Sequence, residues 1–396
     1  MPVLTEDDIY RTSTQYRLWS FTRESLSSLR STTNQSAAEG VRAALKSIHS
    51  QQTAGESEGQ RSHDEVTRPT NYLKEVDCLS VEEELKLVGF YCVKTMQFAD
   101  FCEFPTNVKA TAVQYLKRFY LSNSPMTYHP KEMMPSAIFL ATKTENHYTS
   151  LNSFVAKLQK ITAEDVIAPE FLLTQGLRFT FDVRHPHRGL EGGFMELLAL
   201  ARGKENSVPG NTRSPGQLQQ AMMELEPAKG GSKITRSAED VVRRIQTAHG
   251  KAKDVLKTAA LLTDAYFLYT SSQIWMSSLY LTDEPLARFY INSKLPSPSP
   301  IQPRLFIILK SCADLLRSSP SADPGEAEMK ELMKIDKKLY KCRNPEKIDL
   351  VGINKAQKRE GHEDGLDDKL IKKRKLERQK SEKEAEDIFG PALEIK

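Results

Sequence analysis

The side chains able to do chemistry are scattered along this sequence, and few of them stand at a useful spacing. His185 and His187 flank Pro186, an arrangement in which two imidazoles could ligate one metal ion. His129 precedes Pro130 and has no cysteine, aspartate or glutamate at ligand spacing. We therefore expect no metal site, and we expect the histidine pair to lie in a surface turn.

Motifs of the common enzyme classes are also missing. The sequence contains no GxSxG, HExxH or phosphate-binding-loop motif, and no GxGxxG that follows a predicted strand. Its five cysteines form no CxxC pair, so neither a disulfide framework nor a zinc site is indicated. A reducing compartment is the simplest interpretation of free cysteines. We expect no enzymatic activity from this chain alone, and no cofactor.

Charged residues near predicted helix ends are the remaining candidates for binding. Lys143 lies near the C-terminus of one predicted helix, and Glu170 follows Pro169 in the first turn of another. Both positions complement a helix dipole, so each residue is explained either by its own helix or by contact with a partner. Lys117 and Arg118 form either a solvated edge or part of such a contact.

The helices that hold these residues come from one stretch, 106–146. Apolar residues recur at helical spacing between 108 and 119 and predict an amphipathic helix. The next run, 133–141, has almost no polar face, which is typical of a helix with others wrapped around it. The stretch therefore predicts the middle of an all-helical domain, in which Tyr115 is either core or contact.

A fainter copy of this stretch occurs at 259–282. Tyr128 aligns with Tyr269, and the residues that follow match over the length of a helix. Such an internal repeat predicts two related helical units in tandem. Two unrelated apolar helices would give a similar match, so the pattern alone leaves both explanations open.

Length and charge narrow the class of protein. The 396 residues suffice for two domains and tails, and the net charge of +4 is too small to indicate nucleic-acid binding by the whole chain. No run of about 18 apolar residues is present, so we expect no membrane span. The first ten residues are too acidic for a signal peptide.

The remaining segments are assigned from composition. Residues 1–30 predict an N-terminal helix capped by Thr22, whose apolar face packs on the body or, less often, on a partner. The other assignments are a flexible insertion at 31–78, a first helical unit at 79–183, a second unit at 184–318 with a loop insertion at 203–235, a C-terminal helix at 319–343 and a disordered charged tail at 344–396.

Two motifs carry a resemblance to a known family. YLKRFYLSNSPMTYHP followed by FLATKTEN closely resembles the cyclin box, and ALLTDAYFLYTSSQI resembles the matching part of a second box. WSFTRESLSSLR is similar to the N-terminal helix of the H-type transcriptional cyclins. The resemblance implies an all-α fold of two tandem cyclin boxes with flanking N- and C-terminal helices. It also implies a regulatory subunit that binds and activates a cyclin-dependent kinase.

In that family, a lysine at the end of the third box helix and a glutamate in the fifth grip the kinase. Lys143 in ATKTEN and Glu170 in APEFLL match these two positions. The family often has a second acidic residue where this chain has Asn146, so contacts at that edge should differ. The further candidates for kinase contact are Tyr115, Lys117 and Arg118.

The same resemblance implies a cellular setting. The kinase, this chain and a RING-finger assembly factor would form the kinase-activating complex of general transcription factor H. That complex would phosphorylate the C-terminal repeats of RNA polymerase II and other cyclin-dependent kinases, in the nucleus. No membrane and no direct nucleic-acid contact is expected. A basic cluster comprises Lys372, Lys373, Arg374 and Lys375, and it is a nuclear import signal, a weak nucleic-acid contact or a solvated charge run.

The alternative is a DNA-binding cyclin-fold module similar to transcription factor B. That function needs a basic face on the second unit and should show salt-dependent duplex binding. The residues that could supply this face are Arg243, Arg244, Lys251, Lys253 and Lys257.

Overall fold

The computed structural model describes most of the chain. The described residues are 6–55, 76–158, 160–204, 213–227, 237–295, 299–321, 323–347 and 349–352. The chain divides into two compact units, Met1–Ile348 and Asp349–Lys396, and only four residues of the second are described. Regular structure within these ranges is helical throughout. No helix within these ranges is long and apolar enough to cross a membrane.

Five helices form a first bundle. They are α4 (Val81–Phe101), α5 (Thr106–Ser122), α6 (Pro130–Thr144), α7 (Leu151–Val155) and α8 (Ala163–Gly176). A capping box starts α4: the Ser80 hydroxyl accepts from the Glu83 N–H, and the Glu83 carboxylate accepts from the Ser80 N–H at 2.8 Å. Helix α6 packs against α4, α5 and α8, and most of its residues are buried. The prediction of a central helix is confirmed.

Among the described residues, eight helices form a second bundle. They are α9 (His187–Ala201), α10 (Pro215–Met223), α11 (Ala238–Lys257), α12 (Ala259–Leu262), α13 (Ala265–Leu268), α14 (Ser271–Thr282), α15 (Glu284–Lys294) and α16 (Gln302–Arg317). Helix α14 follows Tyr269 as α6 follows Tyr128, and it packs against α9, α11, α15 and α16. The repeat seen in the sequence therefore corresponds to a repeat of structure. The segment before α14 is broken into α12 and α13, whereas α5 is continuous.

The loop insertion predicted at 203–235 contains a helix, so the prediction was wrong for residues 215–223. A capping box between Ser214 and Gln217 starts α10, and Leu218 and Met222 are buried beneath it. These local contacts offset the high loop propensity of the surrounding glycines and prolines. Residues 205–212 and 228–236 lie outside the described ranges.

The helices described before the bundles are α1 (Glu6–Thr12), α2 (Thr14–Trp19) and α3 (Arg23–Gly55). The flexible insertion predicted from residue 31 was wrong as far as residue 55, because α3 continues there. Ala38 and Val41 are buried and make a narrow apolar stripe sufficient to pack the polar helix. Residues 56–75 lie outside the described ranges.

The apolar face predicted near the N-terminus packs on the body of the protein. Trp19 and Leu26 are buried against Leu121 of the first bundle and Phe267 of the second. This arrangement confirms the interpretation in which the face packs on the body rather than on a partner.

Helix α17 (Glu326–Lys341) follows the bundles, within the segment assigned to a C-terminal helix, and a 3-10 helix at Pro345–Lys347 comes after it. The prediction of a disordered tail from residue 344 was therefore wrong for residues 345–347. Helix α17 packs on α4, and its buried Ile335 and Leu339 belong to the same core cluster as Ala38 and Val41 of α3. The first bundle is therefore covered by both terminal helices. The predicted import cluster at 372–375 lies outside the described residues.

Candidate functional site

Lys143 and Glu170, far apart in sequence, meet at the surface of the first bundle. Lys143 lies in the last turn of α6, and its Nζ donates to Glu170 Oε1 of α8 at 2.6 Å. The same Nζ lies 4.4 Å from the centre of the Phe139 ring. The Lys143 side chain keeps 45% of its surface exposed, so it remains accessible to another protein.

Glu170 is not where the sequence placed it within its helix. Thr162 and Asp165 form a capping box, and α8 begins at Ala163 and continues through Pro169. The expectation that Glu170 occupies a first turn was wrong, because the helix tolerates the proline in its interior. A dipole effect is confined to the first turn, so it does not explain this carboxylate. The ion pair with Lys143 explains the carboxylate at this position.

Exposed apolar side chains lie on the helix that carries Glu170 and shortly after the helix that carries Lys143. Ile167 and Phe171 lie one turn apart on α8, beside Glu170, with 40% and 57% of their surfaces exposed. Tyr148, shortly after the end of α6, is almost fully exposed. A charged pair within an exposed apolar surface is typical of a protein-binding site. A half-exposed ion pair contributes at most about 1 kcal/mol to folding, so stability alone does not account for it.

The other three predicted contact residues are buried. Tyr115 and Arg118 are 0% and 1% exposed, and Lys117 is 9% exposed. The prediction that they contact a partner was wrong, since α5 is enclosed by its neighbours. The alternative interpretation of Tyr115 as core is confirmed. Lys117 and Arg118 instead join the two bundles and the N-terminal helices.

Lys117 hydrogen bonds to the backbone where the chain is interrupted between α12 and α13. Its Nζ donates to the carbonyl oxygens of Leu261, at 3.2 Å, and Thr263. Burial lowers the pKa of Lys117. Arg30 of α3 holds neighbouring Asp264 through two hydrogen bonds of 2.7 and 2.8 Å. Burial alone would raise the pKa of Asp264, but Arg30 and Lys117 together lower it.

Arg118 connects the N-terminal helices to the segment between the bundles. Its guanidinium lies 5.0 Å from the Trp19 ring and donates to Gln15 Oε1 and to the carbonyl of Asp182, the latter at 3.0 Å. Burial lowers the pKa of Arg118 to about 10, which leaves it charged at neutral pH. The indole N–H of Trp19 donates to Thr180 Oγ1 at 2.9 Å.

His185 and His187 do not lie in a surface turn, so that prediction was wrong. Both ring nitrogens of His185 are engaged between the bundles: Nε2 lies 2.8 Å from Thr111 Oγ1, and Nδ1 lies 3.1 Å from the Tyr266 hydroxyl. Burial, helped by His187 and Arg118, lowers the pKa of His185 to about 3. His185 is therefore neutral at physiological pH. The sequence offered one signal: the histidines stand where one bundle ends and the next begins.

This shift in pKa predicts a pH-dependent contribution to stability. Between pH 6.5 and about 3 the unfolded chain protonates His185 while the folded chain does not, so acid favours unfolding in this range. Replacing His185 by phenylalanine removes that term. From pH 7 to pH 5, we expect the unfolding free energy of the wild type to fall by about 2 kcal/mol more than that of the variant. Urea denaturation at both pH values measures it, and an equal fall in both chains would contradict the assignment.

The basic face required for DNA binding is largely neutralised. Arg244 makes a buried bidentate pair with Asp283 at 2.7 and 2.8 Å. Arg243 pairs with Asp240 on its own helix, and Lys253 pairs with Glu191 of α9. Lys251 and Lys257 are the other members of the predicted face, which is too weak to favour duplex binding. No group of three or more histidine, cysteine, aspartate or glutamate side chains that could hold a metal ion lies within the described parts of the chain.

Two protein-family models match the chain over the two bundles. The first, "Cyclin, N-terminal domain", matches residues 82–182, and the second, "Cyclin C-terminal domain", matches residues 185–317. A budding yeast (Saccharomyces cerevisiae) relative, Cyclin CCL1, is 31% identical over 298 residues, which are 74% of this chain and 63% of the relative.

Two solved structures extend the comparison to the fold. A chain of the CAK complex from Chaetomium thermophilum bound to ATP-gamma-S superposes with a TM-score of 0.71 at 30% identity, covering 92% of this chain and 98% of that one. A chain of the yeast TFIIK (Kin28/Ccl1/Tfb3) complex gives a TM-score of 0.53 at 27% identity, covering 78% and 100%. Both solved assemblies are complexes rather than single chains.

Proposed function

This chain belongs to the cyclin family, and we propose that it is the regulatory subunit of a cyclin-dependent kinase of the CAK and TFIIK kind. Both cyclin domains are present, and its two bundles superpose on a chain of a CAK complex. Members of this family regulate kinases and are not catalysts themselves. The observation that carries the proposed binding site is the exposed Lys143–Glu170 pair, set among the apolar side chains of α8.

The mechanism follows from what a rigid helical surface can do. A cyclin-dependent kinase needs its mobile αC helix turned inward to complete the Lys–Glu ion pair of its active site. A partner that binds only the inward position shifts the kinase toward that state. Moving an equilibrium from 1:99 to 99:1 requires a preference of about 10⁴-fold between the two states. The exposed apolar side chains supply contact area, and Lys143 and Glu170 supply charged anchors for polar groups of the kinase.

The setting we propose is the kinase module of general transcription factor H, in the nucleus. The resemblance to Ccl1 supports a three-part complex with a Kin28-like kinase and a third, RING-finger subunit in the position of Tfb3. The substrates would be the C-terminal repeats of RNA polymerase II and the activation segments of other cyclin-dependent kinases.

The direct test is reconstitution with the Kin28-like kinase of the same organism. We expect the chain to co-purify with that kinase and to raise its activity on a polymerase-repeat peptide at least 100-fold over the kinase alone. Such an increase is the expected consequence of ordering the active site. If this chain is folded but the kinase activity stays at the level of the kinase alone, the proposal is overturned.

A matched control is available on the same bundle. Lys86 and Glu331 form an exposed ion pair of 2.7 Å between α4 and α17. Replacing Lys86 and Glu331 by alanine removes a comparably exposed ion pair elsewhere on the surface. This variant is the control for replacing Lys143 and Glu170 by alanine. We expect it to activate the kinase as the wild type does.

A further inference from the structure

The end of α6 that carries Lys143 is fixed by residues directly after it. Thr144 is the last residue of the helix, and Glu145 is its C-cap. Asn146 then adopts a left-handed backbone with φ of 56°, and the His147 N–H donates back to the Thr142 carbonyl at 2.9 Å. Because the helix stops here, the orientation of its final turn depends on what holds these residues.

Glu145 is held by a chain of hydrogen bonds that begins in the other bundle. The Thr111 hydroxyl donates to Glu145 Oε1 at 2.6 Å. Since that hydroxyl has only one proton, the His185 Nε2–H must donate to Thr111 over 2.8 Å. Nδ1 of His185 then carries a lone pair and accepts from the Tyr266 hydroxyl at 3.1 Å. The chain therefore runs Tyr266, His185, Thr111, Glu145, with one direction and one histidine tautomer.

A second connection holds Thr144 to the segment between the bundles. The Tyr115 hydroxyl donates to the Phe181 carbonyl at 2.8 Å and lies 2.9 Å from Thr144 Oγ1. Tyr115 and Thr111 are both on α5, one turn apart, and both are fully buried. The two residues that follow Lys143 are thus fixed from the same side.

We propose that this chain of hydrogen bonds, the inter-bundle relay, positions Lys143 for kinase binding. Tyr266, His185 and Thr111 are positioning residues: they are buried or engaged between the bundles and act on the kinase only through the end of α6. The second bundle thereby contributes to affinity through a side chain of the first. This inference rests on the proposed function, since it concerns the same Lys143 site.

The test is the affinity of the full-length chain for the Kin28-like kinase, measured by calorimetry. Thr111→Val keeps the shape of the side chain but breaks the relay. We expect Kd to rise about tenfold, the equivalent of one charge-assisted hydrogen bond. Thr111→Ser restores the hydroxyl, and we expect Kd within about twofold of wild type.

A double-mutant cycle separates positioning from a general loss of structure. In a Lys143→Ala background, Thr111→Val should change Kd by less than about twofold, because the group being positioned is gone. An equal effect in both backgrounds would overturn the relay, as would a Thr111→Val chain with wild-type Kd. If Lys143→Ala alone leaves Kd unchanged, the proposed binding site fails, and the relay fails with it.

Tyr266→Phe provides an independent variant that retains the buried ring. We expect Kd to rise about threefold, since the bond to His185 is a neutral one. The matched control is Tyr290→Phe, which removes a 2.6 Å hydrogen bond to Glu196 within the second bundle, without connection to the relay. Kd should not change in the control, and equal Kd values for the two variants would contradict the proposal even if Thr111→Val does not fold.

Discussion

Replacing Lys143 and Glu170 together by alanine should weaken kinase binding by more than about 100-fold while the chain stays folded. Each side chain would lose a hydrogen bond to a kinase polar group, worth about 1.5–3 kcal/mol when one partner is charged. The folded chain loses only a half-exposed ion pair, worth about 1 kcal/mol at most. Calorimetry with the Kin28-like kinase and thermal unfolding by circular dichroism measure the two effects separately.

A charge-reversed variant sharpens this experiment. Lys143→Glu with Glu170→Lys keeps an ion pair between α6 and α8 but exchanges its ends. If the pair serves only the fold, the reversed chain should bind the kinase like wild type. We expect it to bind as weakly as the double alanine variant, because the exchanged charges would no longer complement the kinase groups that contact Lys143 and Glu170 in the wild type. Wild-type activation by either variant would remove Lys143 and Glu170 from the site.

Replacing Trp19 by alanine should cost the folded chain about 3–5 kcal/mol, the range for a large buried aromatic side chain. Trp19 is 1% exposed, packs against Leu121 and Phe267, and donates to Thr180. Its ring also covers the buried guanidinium of Arg118. The deletion therefore removes contacts with both bundles at once.

Urea unfolding measures this loss, with the remaining tryptophan, Trp275, reporting from the second bundle. Tyr16→Ala is the control on the same helix, because its side chain is 39% exposed. We expect the control to change stability by about 0.5 kcal/mol. A Trp19→Ala chain as stable as the control would show that the N-terminal helices do not brace the two bundles.

Features encoded by local patterns were predicted correctly from the sequence. The apolar run at 133–141 predicted the central helix α6, and the faint copy around Tyr269 predicted the second bundle. Both patterns lie within single helical segments of the sequence, so tertiary contacts reinforce a local preference that is already present.

Features that depend on distant partners were not predicted. Lys117 and Arg118 have the composition of a solvated edge, and only the presence of the second bundle and of Trp19 makes them buried. The length of α3 was missed for the same reason, because its few apolar residues suffice only against α4 and α17. The sequence predicts His185 as a turn residue, because only the folded structure brings Thr111 and Tyr266 to its two ring nitrogens.

The hydrogen bonds from Lys117 to the backbone between α12 and α13 make the two repeated bundles depend on each other. A duplicated unit that once stood alone would have had to satisfy its own helix ends. Here the carbonyls of Leu261 and Thr263 depend on a lysine from the opposite copy. If the chain were cut after Val183, one half would lose the acceptors of Lys117, and the other would lose the donor to Leu261 and Thr263. Each bundle therefore depends on the other for these hydrogen bonds.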